Sequence, residues 1–206
     1  MTEATVTARG EAVVPGKPDE GIWVIAVSSL ENTPDAALAA VGERSTALDG
    51  LLDELEVPKE KRSTTGVTVR EEFEYADGKQ VHRGFRAENL LTVRLVDATI
   101  AGRLLQGSIA RAKASVRGPT WWIAPDNPAR MEACRGAAVE AKRKAEAYAD
   151  ALGLRLGPVA EVREPHPTTG PIRPVMMRGA EASSVEVDPG ELLVEAEVEV
   201  SFHLNI

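Results

Sequence analysis

The sequence predicts an α+β protein with two parts: a ferredoxin-like split βαβ subdomain, and a second, discontinuous α+β subdomain in which one long helix lies on an antiparallel sheet. Three observations predict this. Between Gly21 and Ala124 the patterns run strand, helix, strand, strand, helix, strand, the order of a split βαβ unit. Between Asn127 and Gly153, apolar and small residues recur at spacings of three and four. Leu192 to Leu204 then alternates apolar and polar from end to end. The expected bounds are 20–124 for the first subdomain, and 1–19 with 125–206 for the second.

Taken in order, Thr5 to Val13 reads as a short strand with a break at Gly10, and Pro15 to Asp19 is a turn cluster. The run Gly21 to Ser28 is almost continuously apolar, which suits a strand covered on both faces. Thr33-Pro34-Asp35 caps a helix with Leu38, Val41, Leu48, Leu52 and Leu55 on one face. It must end near Val57-Pro58, because the residue before proline avoids helical dihedrals. Val67, Val69, Phe73 and Tyr75 alternate with polar residues, as do Phe85, Ala87, Leu91, Val93 and Leu95, so two strands join through a hairpin at Asp77-Gly78. Asp97 is the expected N-cap of a helix carrying Ile100, Leu104, Leu105, Ile109 and Ala112. Ser115 to Ala124 is a strand whose Pro119 points to a sheet edge.

The long helix, 128–152, starts at Pro128 behind Asn127 or Asp126 and stops at Gly153. Its expected buried stripe is Met131, Cys134, Ala138, Ala141, Ala145, Tyr148 and Leu152, rich enough in alanine for another backbone to come close. Pro158 to Arg163 gives a further strand. Glu164 to Ala182 is a long connection with four prolines, followed by a strand near Ser184 to Val187 and a turn at Asp188-Pro189-Gly190.

At 206 residues with 43% hydrophobic and only 4% aromatic side chains, the core must be built from Ala, Val, Leu and Ile. A formal charge of −8 opposes nonspecific attraction to phosphate backbones, so no nucleic-acid partner is expected. One cysteine, Cys134, excludes an internal disulfide and a Cys-based zinc site; on the stripe it reads as a small buried thiol. The opening Met-Thr-Glu-Ala-Thr-Val has no basic leader, and nowhere do eighteen apolar residues follow one another. No membrane insertion and a cytoplasmic location are the resulting expectations.

No catalytic pattern is present: there is no phosphate loop, nucleophile elbow or Cys-x-x-Cys. His82, His166 and His203 are too scattered for a metal motif, and no cofactor is expected. Glu195, Glu197 and Glu199 share one side of the last strand, where a solvated face outweighs a cation site. Trp121 and Trp122 must face opposite sides, one toward a core and the other toward a surface; the outward ring is a candidate subunit or ligand contact, the alternative being packing under the long helix. Ile172, Val175, Met176 and Met177 form an adaptable apolar segment of the proline-rich loop that would dock on a neighbouring subunit. Pro171-Ile172-Arg173-Pro174 also has the form that proline-recognition domains read, so this loop is the place for a protein partner.

Several segments together resemble the SIMPL domain family: Val6 to Ala12, Pro18-Asp19, Gly84-Phe85-Arg86-Ala87, the helix from Ala138 to Gly153 running into Leu156-Gly157-Pro158-Val159, Pro189-Gly190-Glu191, and Val198 to Phe202. This is a domain of unknown function that includes bacterial periplasmic immunogens and oxidative-stress defence proteins. The resemblance implies an α+β fold, large homo-oligomers that are ring-like or channel-like in envelope members, and no agreed catalytic residues. The resulting expectation is a non-enzymatic protein that assembles with itself through strand edges and the proline-rich segment, in stress protection or as a scaffold. The alternative is a small-molecule or peptide binder using the cleft between the two parts.

Overall fold

The computed structural model describes residues 4–76, 78–165 and 189–205. In chain order the elements are β1 (Thr5–Gly16), β2 (Glu20–Glu31), α1 (Pro34–Glu54), β3 (Arg62–Ala76), β4 (Lys79–Leu95), α2 (Ala101–Ala112), β5 (Ser115–Trp122), α3 (Pro128–Ala151), β6 (Arg155–Arg163) and β7 (Leu192–Asn205). The fold is thus mixed α and β, with three α-helices and two antiparallel sheets among the described residues. Most of the proline-rich connection, with His166, Ile172, Val175, Met176 and Met177, lies outside the described residues, as does the strand expected near Ser184 to Val187. The described chain forms two compact units, one of residues 19–122 and one of residues 4–18, 123–165 and 190–205.

In the unit of 19–122 the sheet runs β3-β4-β2-β5, with every neighbouring pair antiparallel. β2 and β4 are therefore interior, and β3 and β5 are edges. The core forms where Trp23, Ile25 and Val27 of β2 and Leu91, Val93 and Leu95 of β4 meet Val41, Leu48 and Leu52 of α1 and Leu104 of α2. Burying each such side chain fully contributes about 1.5–3 kcal/mol. The start of α1 is fixed by Thr33, whose Oγ1 accepts from the Ala36 amide at 3.2 Å. Leu38, expected inside, is exposed, while Ala37 and Leu51 are buried in its place. Asp97 caps a different element from the one expected: its carboxylate accepts from Thr99 N at 2.8 Å, closing the short 3-10 turn Ala98–Ile100 that precedes α2.

The other unit is a three-stranded sheet, β1-β7-β6, with α3 packed chiefly on β1 and β7. Asn127 is the N-cap, its side-chain oxygen accepting from Ala129 N at 2.9 Å, and Gly153 takes a positive φ just past the helix end. The buried face of α3 is Ala129, Ala133, Ala137, Ala141, Ala145 and Ala149, an unbroken ladder at every fourth residue. It shares only Ala141 and Ala145 with the expected stripe; Met131, Cys134, Ala138, Tyr148 and Leu152 are exposed. The cause is proximity. A Cβ built on Gly10 would lie 1.9 Å from the carbonyl oxygen of Ala137 and 2.5 Å from the amide nitrogen of Ala141, so strand and helix backbones almost touch. Only methyl side chains fit in that gap, and the larger apolar residues turn outward. Gly10 therefore does not break the first strand, which continues to Gly16.

Candidate functional site

Trp121 and Trp122 end β5, and both are half-buried; the fully enclosed tryptophan is Trp23. The strand register explains each ring. Trp121 lies opposite Gly21, which leaves room for the ring: a Cβ there would come within 2.8 Å of it. Trp122 lies opposite Glu20, and the Arg94 guanidinium sits 5.8 Å from the centre of the Trp122 ring. Arg94 also lies 3.6 Å from the Glu20 carboxylate, whose other oxygen is paired with Lys61. Glu20 is buried and Lys61 and Arg94 are its cations, so this cluster holds the end of β5 in place.

A polar recess of about 230 Å³ opens between α1, the start of β3 and the later half of β4. Its floor is Arg62, whose side chain is 6% exposed and donates to the Val57 carbonyl while its Nη1 lies 2.7 Å from Asp53. Lys59 reaches the same Asp53 oxygen at 2.8 Å. Hydrogen bonds from Lys59 first, and then from Arg62, hold the Asp53 carboxyl below its ordinary range. Asn89 donates to Ser45 Oγ at 3.0 Å, and its side-chain oxygen, also enclosed, has no hydrogen-bond partner among the described residues. The cations of the recess are already matched by Asp53. What its lining exposes to a ligand is the hydroxyls of Ser63 and Thr64, the Asn89 oxygen being enclosed.

Two edge strands carry the more distinctive geometry. On the outer side of β1, the Glu11 amide donates to Glu140 of α3 at 2.5 Å, and Lys144 donates to the Arg9 carbonyl at 2.9 Å. Glu140 and Lys144 are themselves 3.2 Å apart, one helical turn from each other. The Glu11 amide, and after it Lys144, lowers the Glu140 pKa from its ordinary value. On β3, by contrast, β4 is the sole strand partner among the described residues. One side of β3 presents Val67, Val69, Phe73 and Tyr75, which are 59%, 39%, 45% and 78% exposed. The His82 ring of β4 lies edge-on between Phe73 at 5.2 Å and Phe85 at 5.4 Å, so the apolar row continues onto the neighbouring strand. Beyond Glu31, where β2 ends, β3 and β4 run on as a two-stranded arm. The alternation of Val67 to Tyr75 is visible in the sequence, but that no helix among the described residues covers it is not.

Other candidates resolve simply. Glu197 is 2.5 Å from Arg9 and Glu199 is 4.0 Å from Arg163, so these two carboxylates of β7 belong to a cross-strand ion-pair face. Cys134, expected to be buried, is exposed because α3 is rotated to place its alanine ladder inward. His203 is half-buried on β7. Among the described residues no three His, Cys, Asp or Glu side chains come together as a metal site, and no helix is long and apolar enough to cross a membrane.

Comparison with known proteins adds the remaining facts. A family model described as SIMPL, protein of unknown function (DUF541), matches residues 6–202. The 26 kDa periplasmic immunogenic protein of Brucella melitensis is 26% identical over 215 residues, covering 98% of this chain and 85% of the relative. The uncharacterized protein YggE of Escherichia coli strain K12 is 24% identical over 204 residues, covering 97% and 83%. YggE of Edwardsiella ictaluri is 24% identical over 207 residues, covering 97% and 87%. These matches overturn the expected cytoplasmic location, because the Brucella relatives are named as periplasmic. The physical reason is that compartment is written in a removable leader rather than in the folded chain, and a chain with a single cysteine is compatible with an oxidising compartment.

Proposed function

Because the chain belongs to the SIMPL family, whose function is unknown, we propose that it is a non-catalytic protein of the periplasm that assembles with copies of itself, as a scaffold or in stress protection. Its 19–122 unit is read as a ferredoxin-like subdomain, since the sheet order β3-β4-β2-β5 with two helices in one core follows the split βαβ pattern. The observation that carries the assembly reading is the β3 edge, where a long strand without a second strand partner among the described residues stands beside an exposed apolar row. Native proteins ordinarily shield such an edge, because it is a template for adding another strand. Trp121, Trp122 and the segment Ile172, Val175, Met176 and Met177 remain proposed secondary contacts. The Brucella relatives, named as periplasmic proteins, support the periplasmic assignment.

Light scattering over a concentration series tests the reading. Mass should rise above that of the 22.0 kDa chain as concentration increases. A single monomeric species up to high concentration would remove the assembly claim. A second reading, a small-molecule binder, is favoured by the polar recess, whose Asn89 oxygen has no hydrogen-bond partner among the described residues. It requires that Asn89→Ala abolish a ligand-dependent rise in thermal midpoint.

A further inference from the structure

We propose that two copies of this chain join edge to edge through β3, antiparallel and about a two-fold axis at Glu71, so that two four-stranded sheets become one. This rests on the assembly reading above and names its interface.

The pairing follows from where β3 is regular and from which residues it then brings together. The extra residue Thr65 ends the regular run of β3 on one side and the strand itself ends at Ala76 on the other; the ladder shifts again between Glu72 and Phe73, but there the extra residue is Arg83 of β4, so the alternation of β3 is unbroken from Gly66 to Ala76. The stretch left for pairing is 66–76, whose midpoint is Glu71. In an antiparallel pair centred there, residues that face each other have numbers summing to twice that of Glu71, and opposite residues share a face of the sheet. Val69 then meets Phe73 of the second copy, and Val67 meets its Tyr75. All four exposed apolar residues of the row are matched by apolar partners.

On the other face Arg70 meets Glu72 of the second copy, twice by symmetry, so the charges are also complementary. Arg70 is well exposed, with its guanidinium 3.6 Å from its own Glu72, and is placed to bridge the two strands.

Other registers fail on the same residues. Moving the axis by one residue toward Arg70 sets Arg70 against itself and Glu71 against Val69. Moving it one residue toward Glu72 sets Glu72 against itself and Glu71 against Phe73. Moving it by half a residue throws the apolar rows onto opposite faces. The chosen register has one unfavourable feature, Glu71 facing its own copy, and this limits the strength of the dimer. A self-opposed carboxylate on an otherwise matched edge makes the contact reversible rather than fibril-forming.

The test uses the full chain with Cys134→Ser to remove the native thiol. Glu71→Cys in that background should give a disulfide-linked dimer on mild oxidation, since directly opposed strand residues lie about 4.5–5.5 Å apart between Cα atoms and a disulfide spans that distance. Val69→Cys should not link to itself, because its symmetry mate lies four residues along, roughly 13 Å away. A separate variant, Glu71→Gln, should tighten association several-fold by removing the opposed charges. Equal cross-linking at positions 69 and 71, or none at 71 with an unchanged response to Glu71→Gln, overturns the register. If the native chain still assembles by light scattering in that case, only this interface falls. If it is monomeric throughout, the assembly reading falls with it.

Discussion

Along β1, the outward amide of Glu11 is taken by Glu140 and the outward carbonyl of Arg9 by Lys144, both from α3. Along 66–76 of β3, no side chain among the described residues bonds to the outer backbone, and the nearest helix, α1, touches this strand only slightly. Both strands end their sheets, yet one is closed by a helix of its own unit, whereas the other has no cover for its outer hydrogen-bonding groups and apolar row among the described residues. The difference teaches where the protein spends its chemistry. Protecting β1 requires a helix close enough for Glu140 and Lys144 to reach the strand backbone, and that closeness dictates both Gly10 and the alanine ladder.

The largest expected effect follows from breaking that closeness. Gly10→Val would force side-chain atoms into the Ala137 carbonyl and the Ala141 amide, neither of which can move without displacing the helix. The expected cost is at least about 3 kcal/mol, read by urea unfolding, with loss of the 4–18 and 123–165 packing. A cost below about 1 kcal/mol would mean that α3 can lift away easily, and the contrast between the two edges would lose its cause. Phe73→Asp on β3 should do the reverse. Its folding free energy should change by no more than about 0.5 kcal/mol, as for exposed sites, while association weakens at least tenfold in sedimentation. Strong destabilisation would instead give the β3 row a role inside the subunit.

How much of this was legible in the sequence differs between the same two regions. The start and stop of α3 were readable from Asn127, Pro128 and Gly153, because caps are local chemistry. Its buried face is not legible locally: Met131, Tyr148 and Leu152 look like core residues by hydrophobicity, whereas a backbone approach that excludes everything beyond a methyl depends on Gly10, more than a hundred residues away. The alternation of β3 was readable too, and correct as a strand. Which face would lack a helix depends on sheet order, and no local pattern states it. Trp121 and Trp122 show the same limit, since their half-burial is set by Gly21, Glu20 and Arg94 across the sheet.

A smaller effect tests the cover of β1 directly. Glu140→Ala leaves the alanine ladder intact but removes the acceptor of the Glu11 amide and the partner of Lys144. The thermal midpoint should fall modestly and depend more steeply on concentration than that of the native chain, because a second edge is now open. An unchanged midpoint with unchanged mass would show that Glu140 is not needed to close the edge.

The smallest effect is the pH dependence of that same cover. The Glu11 amide, and then Lys144, lower the Glu140 pKa in the folded chain from its ordinary 4.5. A carboxyl with a depressed folded pKa contributes stability that is fully present above the unfolded value and fades as pH falls through the folded one. The β1 cover should therefore hold at neutral pH and weaken below about pH 4.5. Asp53, Glu54 and Glu72, all in the 19–122 unit, are shifted in the same direction by Lys or Arg partners, so the whole chain loses stability on acidification. The part that belongs to β1 is isolated by difference: stability measured against pH should fall less steeply for Glu140→Ala than for the native chain over that acid range. Parallel curves would assign the acid response wholly to the other carboxylates and leave Glu140 as a hydrogen-bond acceptor whose charge contributes nothing to closing the edge.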